Sequence, residues 1–154
     1  MKTILLIEDN TDILENLTEY LEMEGYIILV TNNGKKGIEL AREFIPDLII
    51  CDVLMPEMDG YEVLRLLLGT GKTSEIPFIF STSMSGKIDK DEALKLGADY
   101  YITKPFELET LLKVAKECIK FGSKRRRYIF KRSRINSFTR QFNSSTNLPS
   151  YLLR

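Results

Sequence analysis

The chain has 154 residues, with 22 Lys and Arg against 22 Asp and Glu, two cysteines and no histidine. No stretch approaches the roughly 20 apolar residues that span a bilayer, and the lack of histidine excludes His metal ligands, His general bases and phosphohistidine on this chain. The zero net charge hides a division: residues 1–122 carry a net of −9 and residues 123–154 a net of +9, so an acidic domain precedes a basic tail. Cys51 and Cys118 read as reduced thiols of a cytosolic protein. The opening Met1-Lys2-Thr3 runs straight into strand pattern, and no signal peptide is expected.

Residues 3–8 read as the first strand, ending in the acidic pair Glu8-Asp9. A helix follows from Asp12, its expected cap, to Glu24, with Ile13, Leu17, Tyr20 and Leu21 at helical spacing and Gly25 as its stop. Residues 26–31 form the second strand, and Asn33-Gly34 turns the chain. Ile38, Ala41 and Ile45 mark one face of the second helix, which Pro46 ends. The apolar run 48–52 is the third strand, ending in Asp52 before Val53-Leu54-Met55-Pro56-Glu57-Met58-Asp59-Gly60. A helix spans Tyr61 to Leu68 and a loop Gly69 to Glu75; Pro77 opens the fourth strand, 78–81. A helix from Asp89 to Leu96 stops at Gly97, the fifth strand runs from Asp99 to Thr103, and the last helix covers Leu108 to Phe121 after Lys104-Pro105. Five strand–helix units in about 120 residues imply an α/β fold with a parallel sheet and helices on both faces. They fit the flavodoxin-like doubly wound order 2-1-3-4-5, with the ligand crevice between the first and third strands.

Those two strands end in Glu8-Asp9 and Asp52. A cluster of like charges is costly unless a cation neutralises it. Each group also has a plainer reading. Glu8-Asp9 fits a polar turn, Asp52 fits a cap for the next helix, and Asp59 with Gly60 fits turn chemistry rather than a ligand. Thr82 shares the fourth strand's end with Ser81, Ser83 and Ser85. Tyr100 and Tyr101 adjoin and must point to opposite faces.

Glu8-Asp9, Asp52 with Met55-Pro56-Glu57-Met58-Asp59-Gly60, Thr82 and Lys104-Pro105-Phe106, in that order at four strand ends, resemble the CheY-like receiver domain of two-component response regulators, over residues 1 to about 122. The resemblance implies that Asp52 takes a phosphoryl group from a sensor histidine kinase or a His-containing phosphotransfer protein and alters binding of a downstream output protein. It implies a Mg²⁺ site, open to Mn²⁺, held by Glu8, Asp9, Asp52 and the Leu54 carbonyl. It makes Thr82 and Lys104 phosphoryl-binding groups, and Thr82 with Tyr101 the switch pair: Tyr101 rotates inward as Thr82 turns to the phosphoryl group. It also implies a cis Lys104-Pro105 peptide, a cytoplasmic location, and a homodimer through the fourth-helix and fifth-strand region as one arrangement open to the domain. It implies, too, that the receiver catalyses its own phosphorylation and dephosphorylation and is otherwise no enzyme. A haloacid-dehalogenase-like phosphatase also uses an Asp nucleophile, but needs a second Asp where this chain has Leu54.

The tail, 123–154, has no counterpart in that resemblance. It opens Ser123-Lys124-Arg125-Arg126-Arg127, interleaves further basic residues with Tyr128, Phe130, Phe138 and Phe142, and places Ile135, Phe138 and Phe142 near helical spacing. Disorder or loose docking is the first reading and a partner-binding helix the second. A DNA- or membrane-associated regulator acting through the tail is the alternative function, with nucleic acid the less favoured partner. The tail is too short for a winged-helix output domain, and none is recognised.

Overall fold

The computed structural model describes residues 1–69, 71–84 and 86–124, the side chains at 87 and 88 excepted. Residues 125–154 and Ser85 lie outside the described residues, and with them the expected helical spacing in the tail.

Five strands, β1 (Thr3–Ile7), β2 (Ile27–Thr31), β3 (Leu48–Cys51), β4 (Phe78–Thr82) and β5 (Tyr100–Thr103), form one parallel sheet in the order β2-β1-β3-β4-β5. The connecting helices are α1 (Thr11–Met23), α2 (Gly34–Phe44), α3 (Gly60–Leu68), α4 (Lys87–Leu96) and α5 (Leu108–Phe121). This is the doubly wound order expected from the alternating pattern.

Alternation along each strand feeds two cores. Leu5, Ile7, Ile49, Cys51, Phe78, Phe80 and Tyr101 pack with Ile38 and Ala41 of α2 and with Val63, Leu64 and Leu67 of α3. Ile4, Leu6, Leu48, Ile50, Ile79 and Ile102 pack with Leu17 and Leu21 of α1 and with Leu111, Leu112, Val114 and Ala115 of α5. Each Leu, Ile, Val or Phe among them, taken out of water, contributes about 1.5–3 kcal/mol. Because both faces are covered, β1, β3 and β4 read as continuous apolar runs rather than alternating ones.

Helix starts differ from expectation where two short polar residues compete for one cap. Asn10, not Asp12, caps α1: its side chain accepts from Ile13 N at 3.1 Å, and Asp12 falls in the first turn. Asp59 caps α3 in a capping box with Glu62, which explains it as a structural residue rather than a ligand. The segment expected as loop holds a 3-10 helix, Gly71–Glu75, where Thr73 Oγ1 donates to Leu67 O at 2.7 Å. β4 extends one residue beyond the expected 78–81, so Thr82 is its last residue, and α4 starts two residues earlier than expected.

Candidate functional site

Parallel strands end together, so the residues following β1, β3 and β5 meet at one edge. Backbone bonds beyond the strands fix them there: Glu8 N to Thr31 O at 3.1 Å, Asp52 N to Ile7 O at 2.9 Å, and Lys104 N to Thr82 O at 2.8 Å. The turn after Asp52 is equally constrained. A Cβ on Gly60 would stand 2.2 Å from the Asp52 carbonyl oxygen, so only glycine lets α3 start this close to β3. Gly60 N in turn donates to Val53 O at 2.8 Å.

Glu8, Asp9 and Asp52 each present a carboxylate oxygen, all within 4.8 Å of one another. Glu8 and Asp52 are buried and Asp9 is exposed. Lys104 Nζ bridges the two buried ones, at 2.6 Å from Glu8 Oε2 and 3.3 Å from Asp52 Oδ2. Two amides complete the arrangement: Asn10 N donates to Glu8 Oε1 at 3.1 Å, and Leu54 N to Asp52 Oδ1 at 3.3 Å. Burial pushes the Glu8 carboxyl up from its ordinary value and the charge on Asp52 adds to this, while the bonds from Lys104 and Asn10 pull the other way. Beneath them burial also raises the Cys51 thiol well above its usual range. Neither Cys51 nor the half-buried Cys118 forms a disulfide.

Thr82 is fully buried, and its Oγ1 accepts from Met84 N at 3.3 Å. Tyr101 lies in the inward orientation, 5% exposed, with its hydroxyl donating to Met84 O at 2.6 Å and its ring edge-on to Phe80. Burial pushes that hydroxyl up to about 12, so it stays a donor at neutral pH. Tyr100 is 40% exposed on the opposite face, as alternation demands. The two switch candidates therefore grip the two polar atoms of one peptide backbone, that of Met84. Sequence reasoning missed this meeting point, because a backbone leaves no mark in residue type. Of the competing hydroxyls, Ser81 points away from Thr82's face, and its Oγ finds no hydrogen-bond partner among the described residues; Ser83 is exposed. Lys104-Pro105 is cis. Beside the carboxylates, Ile13, Leu17, Pro105, Phe106 and Leu108 line a largely apolar cleft that Lys104 also borders.

The family model for the response regulator receiver domain matches residues 4–116. The chain belongs to the response regulator receiver family. Protein PilH of Pseudomonas aeruginosa is 38% identical to this receiver over 113 residues, covering 73% of the chain and 93% of that protein. The DNA-binding dual master transcriptional regulator RpaA of a Synechocystis species is 38% identical over 112 residues, or 73% of this chain but only 46% of RpaA. Among solved structures, the signal receiver domain of a signal transduction histidine kinase from Syntrophus aciditrophicus superposes with a TM-score of 0.72 at 38% identity, over 78% of this chain and 91% of that one. The receiver is thus a signalling module of the two-component type; phosphorylation and Mg²⁺ binding at an acidic pocket are general features of such domains. Among the described residues no helix is long and apolar enough to cross a membrane.

Proposed function

We propose that residues 1–122 form a phosphorylation-activated switch whose acceptor is Asp52, in a cytoplasmic protein in which the basic segment 123–154 follows the switch. The observation that supports this reading best is the three-carboxylate cluster with Lys104 bridging Glu8 and Asp52. The donor set is all oxygen and acidic, which suits a hard divalent cation. Glu8, Asp9 and Asp52 would hold Mg²⁺ or Mn²⁺, with the Leu54 carbonyl as the ligand that family resemblance adds. Bound there, the cation neutralises the carboxylates and the incoming phosphoryl oxygens.

The chain's own groups do the rest. An Asp52 carboxylate oxygen attacks phosphorus; the phosphorus–nitrogen bond of a phosphohistidine donor breaks, and the imidazole nitrogen leaves with the electron pair. That donor belongs to a sensor kinase or phosphotransfer protein, since this chain has no histidine. Lys104 is positioned to follow the charge from carboxylate to phosphoryl oxygen as a mobile cation. Thr82 can release Met84 N and donate its hydroxyl to the phosphoryl group. Catalysis of this kind is positioning and charge stabilisation, for which few groups suffice. Tyr101 shares the Met84 backbone with Thr82, so the departure of Thr82 for the phosphoryl group bears directly on how Tyr101 packs, and an output protein reads that packing.

Acetyl phosphate with Mg²⁺ should add one phosphoryl group to the chain, detected by mass, and Asp52→Asn should abolish the addition. Unchanged labelling of that variant would sink the assignment.

A further inference from the structure

The amino edge of the sheet holds a buried carboxylate that the proposed chemistry does not use. Asp99 immediately precedes β5. Its Oδ2 accepts from Phe78 N, the first residue of β4, at 2.9 Å, and its own N–H donates to Phe78 O at 2.8 Å. Its Oδ1 accepts from Ser123 Oγ at 3.2 Å and from Lys124 N at 2.5 Å. Ser123 is completely buried. One carboxylate therefore ties the openings of two strands to the root of the basic tail. Hydrogen bonds to a carboxylate are among the strong ones, and a buried acid stripped of them is left uncompensated. The root is held, not merely adjacent.

The strand that holds it is short. Asp99 to Lys104 is five steps along the chain, roughly 17 Å of extended backbone. Tyr101 lies between them. A single strand thus carries the tail's root at one end, the aromatic on Met84 in its middle, and the lysine on Glu8 and Asp52 just past its other end.

We propose that Asp99 is a positioning residue that fastens the basic tail to the switch strand, and that phosphoryl loading of the carboxylate cluster tightens this hold. The second half rests on the acceptor reading given above. Tyr101 stands two residues from Asp99 along the same chain segment, so a load that fixes the packing of Tyr101 stiffens the strand that presents the Asp99 carboxylate to Ser123 and Lys124. The segment with nine cations and no acid then answers the signal at its departure point, on the edge opposite the chemistry.

The test is site-resolved amide hydrogen exchange on the full chain, with Mg²⁺ alone and with Mg²⁺ plus acetyl phosphate, phosphoryl uptake being read by mass on the same samples. The Lys124 amide should be protected in Mg²⁺ alone and should exchange about tenfold more slowly after loading, the scale of strengthening one charge-assisted bond. Asp99→Asn should speed its exchange. Ser123→Ala, which leaves the strands untouched, should do so with phosphoryl uptake intact. Lys124 exchanging as fast as an unstructured amide in Mg²⁺ alone overturns the fastening. Complete loading with unchanged Lys124 exchange overturns the coupling and leaves the acceptor reading standing. No loading at all overturns that reading and the coupling with it, while the two variants still decide the fastening.

Discussion

The two edges of the sheet use the same residue type in opposite ways. At the amino edge, Asp99 spends both oxygens on donors from β4 and the residues after α5, and Asp47 accepts from Thr3 N at 2.8 Å while pairing with Lys2. These acids hold chain segments together. At the carboxyl edge, Glu8 and Asp52 crowd one another with a single lysine between them, and burial works against the charge on Glu8. These acids store repulsion that a cation can relieve. A buried carboxylate is a staple where its donors are backbone and hydroxyl groups, and a binding site where its neighbours are other carboxylates.

The sharpest way to break this contrast lies at the carboxyl edge. Lys104→Ala should still take up phosphoryl groups, more slowly, yet lose phosphate-dependent partner binding altogether; normal partner affinity in a pull-down of the loaded variant would remove Lys104 from the switch. Next in size is the phosphoryl lifetime. Leu54, 54% exposed, and Met84 offer no side-chain polar group to orient a hydrolytic water. The double change Leu54→Asn with Met84→Glu should speed loss of phosphate by about 10- to 100-fold, as positioning a nucleophile typically does. Acid-quenched mass spectrometry after donor removal measures it, and equal decay rates would clear both side chains.

Stability then tests the two edges with opposite signs. Asp99→Ala leaves a buried Phe78 amide without its acceptor and should cost about 2–3 kcal/mol in urea unfolding. Glu8→Gln should raise the stability of the metal-free form by about 1 kcal/mol, the scale of relieving one like-charge contact. Asp9→Asn should weaken metal binding but change metal-free stability by less than about 0.5 kcal/mol, because Asp9 faces water. The smallest effect is on pH. Glu8 has a folded pKa above its ordinary 4.5, so the native state binds its proton first. Metal-free stability should therefore rise as pH falls from neutrality into the window between the raised value and 4.5, and Glu8→Gln should flatten that rise. A loss of stability over the same window would contradict the burial argument.

The fold was legible because burial on both faces writes itself into β1, β3 and β4 as unbroken apolar runs, and glycine or proline punctuates the helix ends. The acidic and basic residues at those strand ends announced the cluster, since topology alone delivers them to one edge. Cap choice was not legible: Asn10 and Asp12 are equivalent acceptors in sequence, and only the entry angle of the chain decides between them. Thr73 in the 3-10 helix and Asp99 at the head of β5 were missed for a related reason. Their partners, Leu67 O and Ser123 with Lys124, are set by packing, and nothing in the local pattern names a residue 24 positions away. A lone acid at the head of an apolar strand was the one available hint.

Strand polarity has an architectural result. Lys2 and Gly122 border the same cavity at the amino edge, so both ends of the receiver fold leave from one side, with the chemistry on the other. A unit whose entry and exit points adjoin can be spliced into a longer polypeptide, or circularly permuted, without moving any group that handles phosphate. Fusions joined at this edge inherit the reactive crevice unobstructed, and a short linker from Lys124 back to Lys2 would close the chain into a ring that keeps Ser123 and Lys124 on Asp99.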